Sequence, residues 1–175
     1  MIYEPKEDSF LLEKEVKKLA KGKKVLDIGS GSGIQAIAAL KAGAASVLAI
    51  DIAQDVVKIL NKKGIKAIQS DLFENVRKKF DLIIFNPPYL PEDKKEDAES
   101  ARTTSGGKRG DEIILRFLKD ARKHLNKQGI ILLVVSSLTP QARILSSLEK
   151  RKFKKKVVSS QKFFMEKIEV WKITS

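Results

Sequence analysis

The chain has 175 residues, with 35 Lys and Arg against 22 Asp and Glu, a formal charge of +13, no cysteine and a single histidine. Disulfides, thiolate metal sites and multi-histidine metal centres are thereby excluded. No apolar run has the length of a membrane-spanning helix and no signal pattern opens the chain, so a soluble, cytoplasmic protein with no membrane role is expected.

A chain of this size fits one domain, 1–175, that buries enough surface to need no staples. The basic excess favours acidic partners, with an RNA or ribonucleoprotein contact among them. It equally suits the Lys-rich surface of a heat-adapted protein, given 33% charged residues. Aromatics are not interleaved with the basic runs, so no stacking platform for single strands is indicated.

Residues 1–7 read as an extended lead-in held by Pro5. Asp8 or Ser9 is expected to cap a helix running to about Ala20, with Leu12, Val16, Leu19 and Ala20 on one face. Gly22 closes it. Lys24 to Ile28 is a strand that runs into Gly29-Ser30-Gly31-Ser32-Gly33. A helix follows from Ile34 to Ala42, then a strand from Ser46 to Asp51. A helix from Ala53 to Lys63 precedes a third strand, Ile65 to Ser70, ending at Asp71. The fourth strand, Asp81 to Phe85, ends at Asn86-Pro87-Pro88-Tyr89. Strand and helix alternate, which implies parallel strands with right-handed crossovers and helices on both faces.

Residues 90–110 are polar and aperiodic and are expected to be a substrate loop. A helix resumes at Asp111 and runs to Leu125, and Gln128-Gly129 turns into a strand from Ile130 to Ser136. Thr139 is expected to cap a helix with Pro140 at its first position. Phe153–Val158 and Phe163–Ile173 read as an antiparallel pair at the sheet edge, joined by Ser159-Ser160-Gln161.

Four features converge on the carboxyl ends of the parallel strands, where open α/β sheets place ligands. The glycine loop departs from the dinucleotide pattern, since its third glycine comes one residue early, and no Lys-Ser/Thr follows it as in a phosphate loop. Asp51 stands twenty residues after Gly31, where a carboxylate can accept from both ribose hydroxyls of a nucleoside; capping the next helix is the plainer role. Asp71 can accept from an adenine amine while Leu72 covers the ring, or can cap. Asp27 can accept from the ammonium of an amino-acid moiety, or hold the loop backbone. Asn86 brings an amide that donates and accepts, on a turn stiffened by two prolines and walled by Tyr89. His124 is expected to be a surface residue.

The loop from Asp27 to Gly33, with Asp51, Asp71 and Asn86-Pro87-Pro88-Tyr89, resembles class I S-adenosylmethionine-dependent methyltransferases that modify planar nitrogens. The lead-in Tyr3-Glu4-Pro5-Lys6-Glu7-Asp8-Ser9-Phe10-Leu11-Leu12 narrows this. It is similar to the HemK-type release-factor glutamine methyltransferases, especially their short archaeal and eukaryotic branch, as is Gly106-Gly107-Lys108-Arg109-Gly110. The resemblance implies an α/β, Rossmann-like fold with a mostly parallel seven-stranded sheet and an antiparallel edge strand. It implies S-adenosyl-L-methionine as cofactor, held by Ser9, Asp27, Gly29, Gly31, Asp51, Asp71, Leu72 and Asn86. The substrate implied is the glutamine amide of a class-1 release factor, held by Asn86, Pro87, Pro88 and Tyr89, with Asn86, Pro87 and Tyr89 catalytic.

Longer bacterial members carry an N-terminal domain that grips the release factor, whereas residues 1–22 alone precede the first strand here. The short branch implies a small zinc-binding activator protein instead, in a heterodimer, added at the edge formed by the third strand. Two other functions stand beside this one. The same tetrapeptide serves adenine N6, cytosine N4 and guanine N2 methyltransferases, and a methyltransferase fold can also serve as a non-catalytic scaffold.

Overall fold

The computed structural model describes residues 5–89 and 106–175. Helix α1 (Glu7–Leu19) leads into β1 (Lys24–Ile28), α2 (Ile34–Lys41), β2 (Ser46–Asp51), α3 (Gln54–Lys62), β3 (Ala67–Gln69) and β4 (Phe80–Phe85). After the segment outside the described residues come α4 (Glu112–Ala121), a 3₁₀ turn (Arg122–His124), β5 (Leu125–Ser136), α5 (Gln141–Lys150), β6 (Lys154–Lys162) and β7 (Lys167–Thr174). The strands form one seven-stranded sheet in the order β3-β2-β1-β4-β5-β7-β6. β1 to β5 are parallel, and β7 runs antiparallel to both β5 and β6.

Alternation along each strand divides the core between the two faces of the sheet. On β4, Leu82 and Ile84 point to one face and Ile83 and Phe85 to the other, and all four are buried. A strand covered on both sides reads as a continuous apolar run, which is why Leu82 to Phe85 shows no polar interruption. The first face is covered by α1, α2 and α3 through Leu12, Val16, Ala36, Ala39, Val57 and Leu60. The second is covered by α4 and α5 through Ile114, Phe117, Leu118, Ile144 and Leu148.

Several local expectations are corrected. The α1 N-cap is Lys6, without a side-chain cap, so Asp8 and Ser9 lie inside the first turn and are buried. Thr139 does not cap α5, whose N-cap is Pro140; its hydroxyl is used elsewhere. The α-helical stretch α4 stops at Ala121 and tightens into the 3₁₀ turn instead of reaching Leu125. Ser159-Ser160-Gln161 is strand, and the hairpin turns at residues 163–166, closed by Phe163 N–H donating to Glu166 O at 2.7 Å. β5 begins at Leu125, and its register with β4 shifts between Phe80 and Leu82 as Gln128 takes φ 64.

Candidate functional site

The carboxyl ends of β1, β2, β3 and β4 bring the expected site residues to one rim. The loop after β1 turns at Gly29, Gly31 and Gly33, with φ of 62, 48 and 84. An L side chain in this left-handed region costs roughly 1–2 kcal/mol per residue. At Gly33 a Cβ would also stand 2.6 Å from Leu60 Cδ2, so any other residue there would have to displace the buried Leu60 side chain of α3. The loop is tied down by Ser30 N–H to Ile50 O (3.0 Å) and Ser30 Oγ to Asp27 O (2.9 Å).

Asp51 completes that bracing. Its Oδ2 accepts from Gly31 N–H at 3.0 Å and its Oδ1 from Ala53 N–H at 2.9 Å. Each carboxylate oxygen has a second lone pair, so the group retains capacity for two further donors. Asp71 is bound by Arg116 Nη2 at 2.8 Å. With side-chain exposures of 54% and 32% this is a surface pair, worth at most about 1 kcal/mol, and it does not lock the acid. Leu72 beside it takes φ 48, with its carbonyl accepting from Ser70 Oγ at 2.8 Å.

Asp27 lies beneath the loop. It is 2% exposed, and its Oδ2 accepts from Ala36 N–H at 3.2 Å, at the start of α2. Burial pushes its carboxyl up to about 7, against hydrogen bonds from Ser30 and Ala36 and with a small further push from the Asp51 charge. This position ties the end of β1 to the start of α2, the structural role that the sequence offered for Asp27 beside ammonium binding. Ser9 is likewise buried, and its carbonyl accepts from Gln35 Nε2 at 2.8 Å, joining α1 to α2. His124 is half-buried, its ring stacked on Phe73 at 4.4 Å.

The Asn-Pro-Pro-Tyr turn has the sharpest geometry. Asn86 Nδ2 donates to Asp8 Oδ2 at 3.0 Å, while Asn86 Oδ1 is buried with no hydrogen-bond partner among the described residues. An ionised carboxylate only accepts, so it takes the NH2 end and leaves the carbonyl end facing away. A buried acceptor left unmet costs roughly 1–3 kcal/mol, so its retention points to a ligand that meets it. The turn is held from both sides. Thr139 Oγ1 donates to Tyr89 O at 3.0 Å. The Gly106–Gly110 turn lies against Pro88, so close that a Cβ on Gly106 would stand 2.7 Å from Pro88 O. Residues 90–105 of the expected substrate loop lie outside the described residues.

Asp8 and Thr139 are thus site residues that sequence reasoning assigned to helix caps. Asp8 stood inside the Glu7-Asp8-Ser9 motif, but nothing in the chain order indicated that a residue 78 positions before Asn86 would orient its amide.

The sheet order, the glycine loop after β1, the acids after β2 and β3 and the Asn-Pro-Pro-Tyr turn after β4 define a Rossmann-like methyltransferase domain. The model of the methyltransferase small domain matches residues 7–165, and the chain belongs to that family. It is 41% identical, over 97% of its length and 89% of the relative's, to a Methanocaldococcus jannaschii protein named for protein N5-glutamine methyltransferase activity. It is 27% identical to the human methyltransferase HEMK2, over 99% of this chain and 89% of that one. Among solved structures it matches one from an E. cuniculi Mtq2–Trm112 complex, described as responsible for methylating the translation termination factor eRF1. That match has a TM-score of 0.81 at 24% identity, over 99% of this chain and 98% of the other. No helix among the described residues is long and apolar enough to cross a membrane.

Proposed function

We propose that the chain is an S-adenosylmethionine-dependent methyltransferase that modifies the glutamine amide in the Gly-Gly-Gln motif of a class-1 release factor. The observation that carries this reading is the buried, unpartnered Asn86 Oδ1, oriented by Asp8. A planar amide NH2 has two hydrogens to place, and this rim offers an acceptor for one of them. The 41% identical relative, named for glutamine N5 methylation, selects glutamine among planar amines.

The residues of the rim fit the cofactor. Gly29 is exposed at φ 62 and its missing Cβ leaves bare backbone for close approach. Asp51 keeps two lone pairs for ribose hydroxyls, and Asp71 with Leu72 offers an acceptor and an apolar cover for the adenine. Ser9 and Asp27 act behind the loop, Asp27 bonding the Ala36 N–H at the start of α2 and Ser9 joining α1 to α2. The cofactor would supply a methyl group on a sulfonium, already a good leaving group.

The work left to the protein is on the nucleophile, because an amide nitrogen shares its lone pair with its carbonyl. Asn86 Oδ1 and the Pro87 carbonyl accept the two N–H hydrogens, which holds the nitrogen in place and favours its rehybridisation. Tyr89 walls the amide plane, with Thr139 fixing its carbonyl. Pro88 keeps the turn stiff. Holding reactants in attack geometry can supply roughly 7–11 kcal/mol. The proton leaves to water.

A small zinc-binding partner added at the β3 edge completes this reading. β3 is three residues long and ends the sheet, and beside it Ile52 is 64% exposed, its carbonyl accepting from Gln69 Nε2. Covering such an edge removes an unpaired strand and an apolar surface together. The cytoplasm, where release factors work, is the compartment proposed.

The test is transfer of a labelled methyl group to purified release factor, with the small partner present and absent, against tRNA, rRNA and DNA. Label on the glutamine amide is expected. Label on nucleic acid alone moves the chain to the nucleobase methyltransferases, for which the +13 charge is the one argument. No label and no cofactor binding leave a scaffold.

A further inference from the structure

We propose that the tip of the β6–β7 hairpin, Phe164 and Met165 with Lys162 and Lys167 at its base, is the contact by which this chain holds a folded protein substrate. The partner it fits carries an acidic and apolar patch beside the glutamine to be modified. This rests on the function proposed above and names the surface that recruits its substrate.

Phe164 is 98% exposed and Met165 77%, the two most exposed of the large apolar side chains described. They are presented, not frayed. Phe163 N–H donates to Glu166 O at 2.7 Å across the turn, and Glu166 Oε1 accepts from Ser136 Oγ at 2.5 Å. Ser137 N–H donates to Lys167 O at 2.8 Å and Lys167 N–H to Ser137 Oγ at 2.9 Å. The turn is therefore fixed to the carboxyl end of β5, next to the carboxyl end of β4 that carries Asn86.

Further exposed apolar groups stand on the same rim. Leu138, 45% exposed, precedes Thr139, which holds Tyr89. Phe10, 50% exposed, lies two residues from Asp8, which holds Asn86. Scattered exposed apolar residues need no explanation, but two adjacent ones on a turn fixed by hydrogen bonds form a surface that a partner can cover.

The charge selects the occupant. Lys162 and Lys167 face each other directly across the antiparallel pair, a like-charge arrangement that works against the hairpin itself. Glu169 takes up one of the two, with Lys167 Nζ at 2.6 Å. Lys154, Lys155 and Lys156 lie at the other end of the strand, opposite Thr174 to Lys172, so the charge at the tip is that of Lys162 and Lys167. An acidic partner relieves this repulsion. A preformed turn ending in Phe and Met suits a protein surface with an apolar pocket, and both side chains are enriched in the cores of protein interfaces.

Two variants test it, Phe164→Ser with Met165→Ser, and Lys162→Glu alone, which leaves the Lys167–Glu169 pair in place. Both sit where folding is little affected, since Phe164, Met165 and Lys162 are exposed and Lys162→Glu places opposite charges across the pair with Lys167. Steady-state methylation is measured on intact release factor and on a short peptide containing Gly-Gly-Gln. The expected result is a KM for the intact factor raised about tenfold in each variant, with kcat, cofactor affinity and peptide KM unchanged. An unchanged KM for the intact factor overturns the assignment, as does an equal loss on the peptide. Failure of the unmutated chain to modify the factor overturns the function and this assignment together, whereas turnover with equal KM overturns this assignment alone.

Discussion

The two halves of the crevice differ in how completely their hydrogen bonds close. On the β1–β2 side, Ser30 donates to the Asp27 carbonyl, Gly31 and Ala53 N–H to Asp51, and Ala36 N–H to Asp27, which leaves a braced loop. On the β4 side, Asn86 is held at one end by Asp8 while its other end has no partner among the described residues. In the proposed function the braced half presents a fixed surface to the cofactor, which has only to be bound. The open half carries an unmet acceptor at a cost to stability, which is where a reacting group needs contacts that water or the protein would otherwise supply.

Breaking the open half has the largest expected effect on turnover. Asn86→Ala removes the acceptor and lowers kcat by about 10²-fold, the loss expected of a misplaced reactant, while calorimetry shows cofactor still bound. Near-normal turnover in that variant would sink the positioning role. Asp51→Ala breaks the braced half and weakens cofactor binding by roughly 1.5–3 kcal/mol, the range for hydrogen bonds to a charged group. An unchanged dissociation constant removes the ribose assignment.

Asp8→Ala sharpens the comparison, because it frees the Asn86 amide to turn over without removing it. A kcat lower by about tenfold is expected, in line with one charge-assisted hydrogen bond. Asp8→Asn should recover part of it, since its carbonyl can accept from Asn86 Nδ2; equal loss in both variants argues against an orienting role.

The smallest effect on turnover is expected from Asp27→Asn, which reads out in stability instead. The unfolded chain loses the Asp27 proton near 3.8 and the folded chain near 7. Between these values the folded state binds a proton that the unfolded state has lost. This group's contribution therefore declines as pH rises from about 4 to 7 and levels off above that. Denaturant unfolding of Asp27→Asn across pH 5 to 8 should show this part of the slope removed. A slope identical to the parent chain's shows that the buried carboxyl is not its source.

Most of the sheet could be read from the chain because strands buried on both faces leave uninterrupted apolar runs, as at Leu82 to Phe85, and because glycines stop the helices between them. The glycine loop, Asp51, Asp71 and the Asn-Pro-Pro-Tyr turn were legible for a related reason. Each sits immediately after a strand, so locating the strand located the residue. The hairpin turn was misplaced because Ser159-Ser160-Gln161 has turn-like composition, yet pairing with β7 keeps it extended. Composition describes a local preference, and cross-strand hydrogen bonds outweigh it.

Chain order alone settled the α/β alternation, the glycine bend and the acids and amide that follow the strands, since these depend on neighbours within a few residues. It could not settle the orientation of Asn86, the burial of Asp27 or the use of Thr139 on Tyr89. Each of those depends on a contact between segments far apart in sequence, Asp8 with Asn86 and Thr139 with Tyr89, or on how deeply the assembled sheet and helices enclose a carboxyl group. Folding creates the low-dielectric setting and the distant partner together, and no local pattern of residues encodes either.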